Sequence, residues 1–318
     1  MFGRLALSKL LLVVWFGLVW FGLVWAGETI EEILTHEYTE AEVEEYFGEL
    51  KSLLYKKKYQ VGDILELDVG RFMVTGKEAE GVEGVVYGVV SLSNPEEPLV
   101  LKFPHVGEHS LAYHGEPYIK ARKLIQKLNH DNIIKLKNSD SRFIIMEKAD
   151  GSLYDLIMGL ARGRAVRFTE AEAKYFFKMA SKDVVAGMEY LHARGINFLD
   201  LKFQNVVYFI KNNRVRFELI DLGTSEYMEA PNPDELFNKL LPFAQGLAKS
   251  AAMLGFPELE EDLNTRIYSA RNLEELKSAL GIDGEPSEQE QILEMVVVEK
   301  IKRVTDSGGS WSSGGACP

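Results

Sequence analysis

The stretch Asn197-Phe198-Leu199-Asp200-Leu201-Lys202-Phe203-Gln204-Asn205 places an acid, a base two residues later and an amide three residues further between two apolar runs. A second acid follows sixteen residues after Asn205, in Asp221-Leu222-Gly223. Phosphoryl transfer uses groups of these types. One carboxylate orients a hydroxyl, an amide and a second carboxylate hold magnesium, and a lysine contacts the γ-phosphate. The pattern therefore predicts a phosphoryl-transfer site in this part of the chain.

A glycine-rich segment and a strand lysine precede this stretch. Gly81 and Gly84 lie between two strand-like runs, and glycine allows the backbone to approach a phosphate closely. Lys102 follows Leu99-Val100-Leu101 in an apolar strand. A lysine in such a strand needs an anionic partner, because an unpaired buried charge is costly. The phosphates of a nucleotide would be a suitable partner.

In this order, the motifs resemble those of the eukaryotic-type protein kinases. The stretch around Asp200 is similar to their catalytic loop, and Asp221-Leu-Gly is similar to their Asp-Phe-Gly segment. A lysine two residues after the aspartate, here Lys202, is the pattern of the protein Ser/Thr kinases. The resemblance covers about Tyr59 to Pro231. It implies an α+β, two-lobed protein kinase-like fold, with a small β-rich N-lobe and a mainly helical C-lobe.

The resemblance also implies a role for each matching residue. Asp200 and Lys202 would be catalytic, and Asn205 and Asp221 would hold Mg²⁺. The residues implied to bind ATP are Gly81, Gly84, Lys102, Glu147 and Ala149, the last two through their backbone after a strand that ends at Met146-Glu147. The implied activity is ATP-dependent transfer to Ser/Thr hydroxyls of a protein whose identity the sequence does not give.

Several positions depart from the family pattern and leave a second interpretation open. Ala79 replaces the first glycine of the loop, and Ala121 stands where a helix glutamate would pair with Lys102. Leu199 replaces the arginine that reads a phosphorylated activation loop, and Ala230 follows only seven positions after Gly223. Without the helix glutamate, we expect Asp221 to be the partner of Lys102 in the nucleotide-free state. The alternative function is a pseudokinase that binds nucleotide or a partner as a membrane-associated scaffold.

The first 27 residues differ in kind from the rest. Arg4 and Lys9 precede an uncharged apolar run from Leu10 to Ala26. Such a run is typical of a single membrane anchor or of a cleaved signal peptide, which makes the protein membrane-associated or secretory. The positive-inside rule would place the following domain outside the cytosol, whereas ATP is mainly inside, so the side of the membrane is left open.

The composition of the rest of the chain indicates its domain limits and argues against nucleic acid as a partner. Residues 28–58 carry nine acids and four lysines and read as a helical stalk or brace. The kinase-like domain is expected over 59–304, with lobes at 59–147 and 148–304, followed by a Gly/Ser-rich tail at 305–318. The net charge of −12 argues against nucleic-acid binding, which needs clustered Lys and Arg. Since Cys317 is the one cysteine, no internal disulfide can form.

Overall fold

A computed structural model describes most of the chain. The described residues are 28–45, 58–67, 69–81, 84–104, 115–138, 143–162, 166–284 and 287–307. The chain forms two compact units, one that ends at Tyr38 and one that begins at Thr39. The apolar run at 1–27 lies outside the described residues. Within those residues, no helix has both the length and the apolar character needed to cross a bilayer.

The acidic segment after residue 27 is helical in pieces. In the first unit, helix α1 (Ile30–Thr35) begins with a capping box between Thr29 and Glu32 and ends at His36, which is extended. In the second unit, residues 40–45 are helical. The predicted capping box at their start is present, because Thr39 N donates to Glu42 Oε2 (2.8 Å) and Glu42 N donates to Thr39 Oγ1 (3.3 Å). The segment that the sequence predicts to be helical over 28–58 therefore contains two helical pieces among its described residues, separated at residues 36–39.

The N-lobe is a six-stranded antiparallel sheet in the order β1-β2-β3-β4-β6-β5. Its strands are β1 (Ile64–Leu67), β2 (Gly70–Gly81), β3 (Gly84–Ser91), β4 (Asn94–Pro104), β5 (Leu136–Asn138) and β6 (Ile144–Glu147). Alternate apolar side chains form one core cluster that includes Phe72, Tyr87 and Leu101. This alternation is the period-2 pattern of strands with one buried face.

Helix α2 (Glu116–Ile125) connects β4 to β5 in the chain. It starts after Gly115, with Pro117 in its first turn, where the missing proline N–H costs nothing. The predicted helix extended to Leu128, but the chain leaves the helix after Ile125 and continues in a turn. Glu116 is thus the first residue of α2 and lies at its N-terminal end.

The C-lobe begins with two helices and two small sheets. Its first elements are β7 (Gly151–Ser152), α3 (Leu153–Arg162), α4 (Glu170–His192), β8 (Ile196–Asn197), β9 (Val206–Lys211), β10 (Arg214–Leu219) and β11 (Glu226–Tyr227). The predicted hairpin is present, because β9 pairs with β10 around Asn212 and Asn213, which both have positive φ. Asparagine tolerates this conformation in tight hairpin turns. Strand β11 pairs with β8.

Four helices complete the C-lobe: α5 (Pro233–Met253), α6 (Pro257–Ser269), α7 (Leu273–Leu280) and α8 (Glu288–Ser307). The sequence predicts these helices at about Asp234–Leu254, Glu258–Ser269, Leu273–Leu280 and Ser287–Val304, so the first three differ from the observed helices by at most one residue at each end. Helix α8 continues three residues past Val304, to Ser307. Thr305, the first residue of the predicted tail, packs on the C-lobe, because its Oγ1 lies 2.9 Å from the Tyr208 hydroxyl. The rest of the predicted tail lies outside the described residues.

The two lobes meet where the segment after α2 crosses the hairpin. Ile133 forms a parallel bridge with Leu219, and Asn132 Nδ2 donates to the Phe217 carbonyl (3.0 Å). Gly187 of α4 packs closely against this junction. A Cβ at that position would come within 2.9 Å of the Asn132 carbonyl oxygen. The close packing fixes the end of β10, and therefore Asp221, relative to both lobes.

Candidate functional site

The candidate site starts from the loop between β8 and β9. Asp200 Oδ2 accepts from Lys202 Nζ (2.6 Å) and from Asn205 Nδ2 (2.8 Å), and Asn205 Nδ2 also donates to the Asp200 carbonyl (2.8 Å). Asn205 is buried in a 3₁₀ turn over Phe203–Asn205, and its carbonyl accepts from Ile220 N (2.9 Å). Three of the predicted residues are thus held together, and one backbone hydrogen bond joins them to the end of the hairpin.

Asp221 follows that end in a left-handed conformation, with φ 59° and ψ 47°. A non-glycine residue rarely adopts this conformation, and such residues concentrate at functional sites. Across the cleft, Lys102 lies on β4 between Val86 of β3 and Ile144 of β6. Lys102 Nζ forms an ion pair with Asp221 Oδ1, and both side chains are largely buried. The expected pairing of Lys102 with Asp221 is therefore confirmed.

Helix α2 supplies no carboxylate to Lys102 at position 121, and its glutamate at position 116 is paired within the helix. Ala121 is fully buried. The Glu116 carboxylate pairs with Lys120 on the next turn (2.6 Å). Lys120 is itself buried and lies 5.9 Å from the ring centre of Tyr227 in β11. The helix thus directs this charged pair toward the segment after Asp221.

A cleft of about 230 Å³ lies between the lobes. Its apolar walls come from Val86, Ile144, Met146 and Ile220, and its charged groups from Lys102, Asp221 and Arg122. Of the predicted ATP and metal residues, Lys102 and Asp221 line this cleft. Gly81 and Gly84 pair with each other where β2 and β3 meet, and Ala149 packs on the apolar cluster that contains Met146. The predicted nucleotide contacts of these three residues, and of Glu147, stay predictions.

Two ion pairs that the sequence did not indicate bracket the connection between the lobes. Glu147, at the end of β6, pairs with Lys211 at the end of β9 (2.5 Å). The next residue, Lys148, pairs with Glu78 of β2 (2.6 Å). Arg122 was also missed as a cleft residue. Each of these pairs joins residues more than sixty positions apart, so no local pattern could have revealed them.

The donor set suits magnesium that arrives with a nucleotide. Mg²⁺ is usually held by one or two carboxylates together with phosphate oxygens, with few protein ligands of its own. In the described ranges, no group of three or more His, Cys, Asp or Glu is placed to hold a metal alone. Asp221 and the buried amide of Asn205 offer the oxygen ligands that Mg²⁺ prefers, so the residues fit this ion.

The hairpin that carries the site rests on one partly buried carboxyl group, Asp183, and one buried carboxyl group, Glu218. Asp183 of α4 accepts from Phe217 N (2.8 Å), and burial raises the pKa of Asp183 to about 6. Burial also raises the pKa of Glu218 to about 7, although the Arg216 guanidinium, 2.6 Å away, counteracts part of this increase. Removing a charge from water disfavours the ionised form. These groups therefore link the stability of the hairpin to pH.

Comparison with known proteins identifies relatives of this arrangement. A family model described as the protein kinase domain matches residues 76–241, just over half of the chain. Serine/threonine-protein kinase H1 of Homo sapiens is 28% identical over 192 residues, which cover 52% of this chain and 42% of that protein. Cyclin-dependent kinase C-2 C of Arabidopsis thaliana is 26% identical over 148 residues, which cover 44% of this chain and 20% of that protein. The chain thus spans less than half the length of these relatives.

The solved structures confirm the predicted fold. The crystal structure of the BubR1 kinase domain superposes with a TM-score of 0.55 at 15% sequence identity. The superposition covers 85% of this chain and 99% of that one. The β-sheet N-lobe and the helical C-lobe are therefore shared along nearly the whole length of that domain.

Proposed function

This chain belongs to the protein kinase family, and we propose that it transfers the γ-phosphoryl group of ATP to serine and threonine hydroxyls of a protein. The observation that carries the proposal is the convergence of Lys202 and Asn205 on one carboxylate oxygen of Asp200, at 2.6 and 2.8 Å. Protein kinases as a family use ATP and Mg²⁺ in this way. The family relatives named as serine/threonine kinases support the choice of hydroxyl.

Each residue has a defined task in this proposal. When bound, Mg²⁺-ATP supplies the phosphoryl group. The substrate oxygen forms the new P–O bond, the bond to the β-phosphate oxygen breaks, and Asp200 accepts the hydroxyl proton. Lys202, which is half-exposed beside Asp200, offsets the negative charge of the transferred group. Asn205 and Asp221 would hold the metal.

Lys102 would contact the remaining phosphates from the N-lobe. In the described structure its ammonium faces Asp221. Metal binding at Asp221 would compete with this ion pair, and the phosphates would then become the anionic partner of Lys102. Because both side chains are largely buried, an unpaired charge at either position would be costly. The exchange of partners keeps both charges compensated.

A direct assay tests the proposal. The full chain is incubated with labelled ATP, Mg²⁺ and a generic basic protein, and the labelled amino acid is identified after hydrolysis. We expect phosphoserine or phosphothreonine, and a loss of about 10²- to 10⁴-fold in Asp200→Asn, the range for removing a general base. Asp262→Asn is the matched control, because Asp262 is an exposed helix residue away from the cleft.

The pseudokinase is the second candidate, and observations at α2 favour it. Ala121 is buried where the family has a glutamate, and Glu116 is engaged by Lys120. Thermal-shift measurements with ATP and Mg²⁺ separate the candidates. Nucleotide binding without transfer to any protein would contradict the enzyme and favour the pseudokinase. Membrane attachment in either case stays a prediction that rests on the apolar run at 10–26.

A further inference from the structure

The C-lobe contains a second cavity that shares no residue with the cleft. It has a volume of about 520 Å³ and lies among α4, α5, α6, the end of α7 and the first turns of α8. Small-molecule sites in proteins generally have volumes of about 300 to 1,000 Å³. Its apolar wall is formed mainly by Phe177, Leu247, Leu263, Ile267, Leu280 and Leu293. The size and the aliphatic wall suit an elongated apolar molecule.

One face of α4 contributes the polar side of this cavity. Ala171, Lys174, Tyr175 and Lys178 all line it, at the spacing of residues that share a helix face. The third cation is Arg266 of α6. The chain as a whole carries a net charge of −12. The charged lining residues of the cavity are therefore three cations and one anion, Glu290, in a chain that is acidic overall.

One of these cations is compensated within the protein. Lys178 Nζ lies 2.5 Å from Glu290 Oε1, and Glu290 also accepts from Ser287 N (3.0 Å) at the start of α8. The Lys178 ammonium and the Ser287 N–H hold the pKa of Glu290 below its usual range. Glu290 is thus an anion already paired with Lys178. Lys174 and Arg266 are the two cations that face the cavity in addition to this pair.

Arg266 has a buried donor that the described part of the chain leaves unsatisfied. Its Nη2 contacts Asp262 (2.8 Å), whose side chain is about half exposed. Its Nε is buried without a hydrogen-bond partner. Because Nε has almost no exposed surface, a molecule in the cavity cannot reach it, but about a third (34%) of the Arg266 side chain is exposed. An anionic group in the cavity would interact with this exposed part of the guanidinium and with Lys174, which both line the cavity.

We propose that this cavity binds an amphiphilic anion, namely an apolar chain that carries one carboxylate-like head group. The head lies at Arg266 and Lys174, and the chain lies against the leucine and isoleucine side chains of α5, α6 and α8. The site does not depend on phosphoryl transfer, because the cavity and the cleft share no lining residue. Binding can therefore be tested whether or not the chain is an active kinase.

Calorimetric titration of the full chain with dodecanoate, below its micellar concentration, tests the site. We expect saturable binding of one molecule. Dodecyltrimethylammonium, which has the same chain and a cationic head, should bind at least tenfold more weakly. Arg266→Gln should weaken dodecanoate at least tenfold. Arg303→Gln is the matched control, because Arg303 also pairs with an acid one turn away on its helix but lies outside the cavity.

The Arg303→Gln control also accounts for dodecanoate that binds to the apolar run at 10–26. That run is the same in every variant, so binding there cannot cause a difference between the Arg266 and Arg303 variants. Circular dichroism and the melting temperature without ligand establish that each variant is folded. Should Arg266→Gln fail to fold, Lys174→Gln replaces it, because Lys174 is exposed at the rim. The absence of saturable binding would overturn the proposal. Equal affinities for the two head groups, or equal losses in the Arg266 and Arg303 variants, would also overturn it.

Discussion

The two sides of the cleft differ in how their charged groups are held. On the C-lobe side, Asp200, Lys202 and Asn205 lie within six residues of one loop and contact one another directly. On the N-lobe side, Lys102 lies in a strand, and its contact with Asp221 spans 119 positions of the sequence. The first group is fixed by local structure, whereas the second joins the two lobes, and we propose that Lys102 exchanges Asp221 for phosphate when nucleotide binds. On this proposal the C-lobe side determines whether transfer occurs, and the N-lobe side determines how well nucleotide is positioned.

The largest effect should come from Asp221, the one residue that both sides share. Asp221→Asn keeps the shape of the side chain but removes the charge that would hold Mg²⁺. We expect a loss of about 10³-fold in the transfer rate, or roughly 4 kcal/mol of barrier. Initial rates at saturating Mg²⁺-ATP measure this loss, and an unchanged melting temperature shows that the fold is retained. A variant with the wild-type rate would remove Asp221 from the site.

The next effect tests whether Glu116 is the ion-pair partner of Lys102 during turnover. Lys102→Ala should lower the rate by about 10²-fold, the usual cost of losing one electrostatic contact to the reacting groups. Glu116→Ala should lower it by less than about threefold, since Glu116 pairs with Lys120. Both rates are measured in parallel with the same protein substrate. If Glu116→Ala is as inactive as Lys102→Ala, the helix carboxylate moves to Lys102 during turnover, and the comparison fails.

The same comparison explains what the sequence could predict. The hairpin at Asp221 was predictable because Lys211-Asn-Asn-Arg214 separates two apolar runs, and αL asparagines make the tight turn. Helix α5 was predictable because Asn232 caps its first turn, with its side chain accepting from Asp234 N, and Pro233 starts it. The pairing of Lys102 with Asp221 followed from the buried charge and the missing helix glutamate. Each of these features depends on a local pattern or on one specific requirement.

The parts that could not be predicted depend on contacts between distant elements. Glu78 and Lys148 are 70 positions apart, and nothing near either residue indicates the other. The contact of Lys120 with Tyr227 depends on how α2 rotates against β11. The cavity beside Arg266 arises from the packing of five helices, of which α5, α6 and α7 begin and end within one residue of the predicted limits, but their spacing was not predicted. Helix periodicity gives the buried face of a helix but not its distance from the next helix.

A smaller effect should be seen in the pH dependence of stability, through Glu218 in the hairpin on the C-lobe side of the cleft. Burial raises the pKa of Glu218 in the folded state to about 7, above its value in the unfolded chain. The folded state then binds the extra proton, so the stability contribution is full below the unfolded pKa and is lost as the pH rises toward 7. Glutamine does not titrate, so only the wild type loses this contribution as the pH rises. The free energy of unfolding of Glu218→Gln, relative to that of wild type, should therefore increase by roughly 1–3 kcal/mol between pH 5 and pH 8.

Denaturant unfolding at several pH values measures this difference. Glu299→Gln is the control, because Glu299 is exposed on α8, and its difference from wild type should not vary with pH. If the two variants show the same pH dependence, the buried carboxyl of β10 does not link the hairpin to pH. The stability of the C-lobe side of the cleft would then not depend on the protonation of Glu218.

Removal of residues 1–27 should have little effect on either side of the cleft. All the residues proposed for the site lie between Gly81 and Asp221 in the unit that begins at Thr39. We expect a soluble, folded protein with nucleotide affinity and transfer rate within about twofold of the full chain. Size-exclusion chromatography and the transfer assay measure both. Aggregation or loss of nucleotide binding would show that the apolar run belongs to the fold and is not an anchor.

The smallest effect should come from phosphatase treatment, which we expect to leave the transfer rate unchanged. The segment after Asp221 is held by backbone pairing of β11 with β8, and Met228 N donates to the Gly195 carbonyl (2.7 Å). The hydroxyl oxygens of Thr224 and Ser225 are buried, so neither is exposed to a modifying enzyme. Leu199, which is about half exposed, offers no cation to a phosphate. A tenfold loss, or about 1.4 kcal/mol of barrier, would reveal a phosphate switch and would show that the C-lobe side is also adjustable.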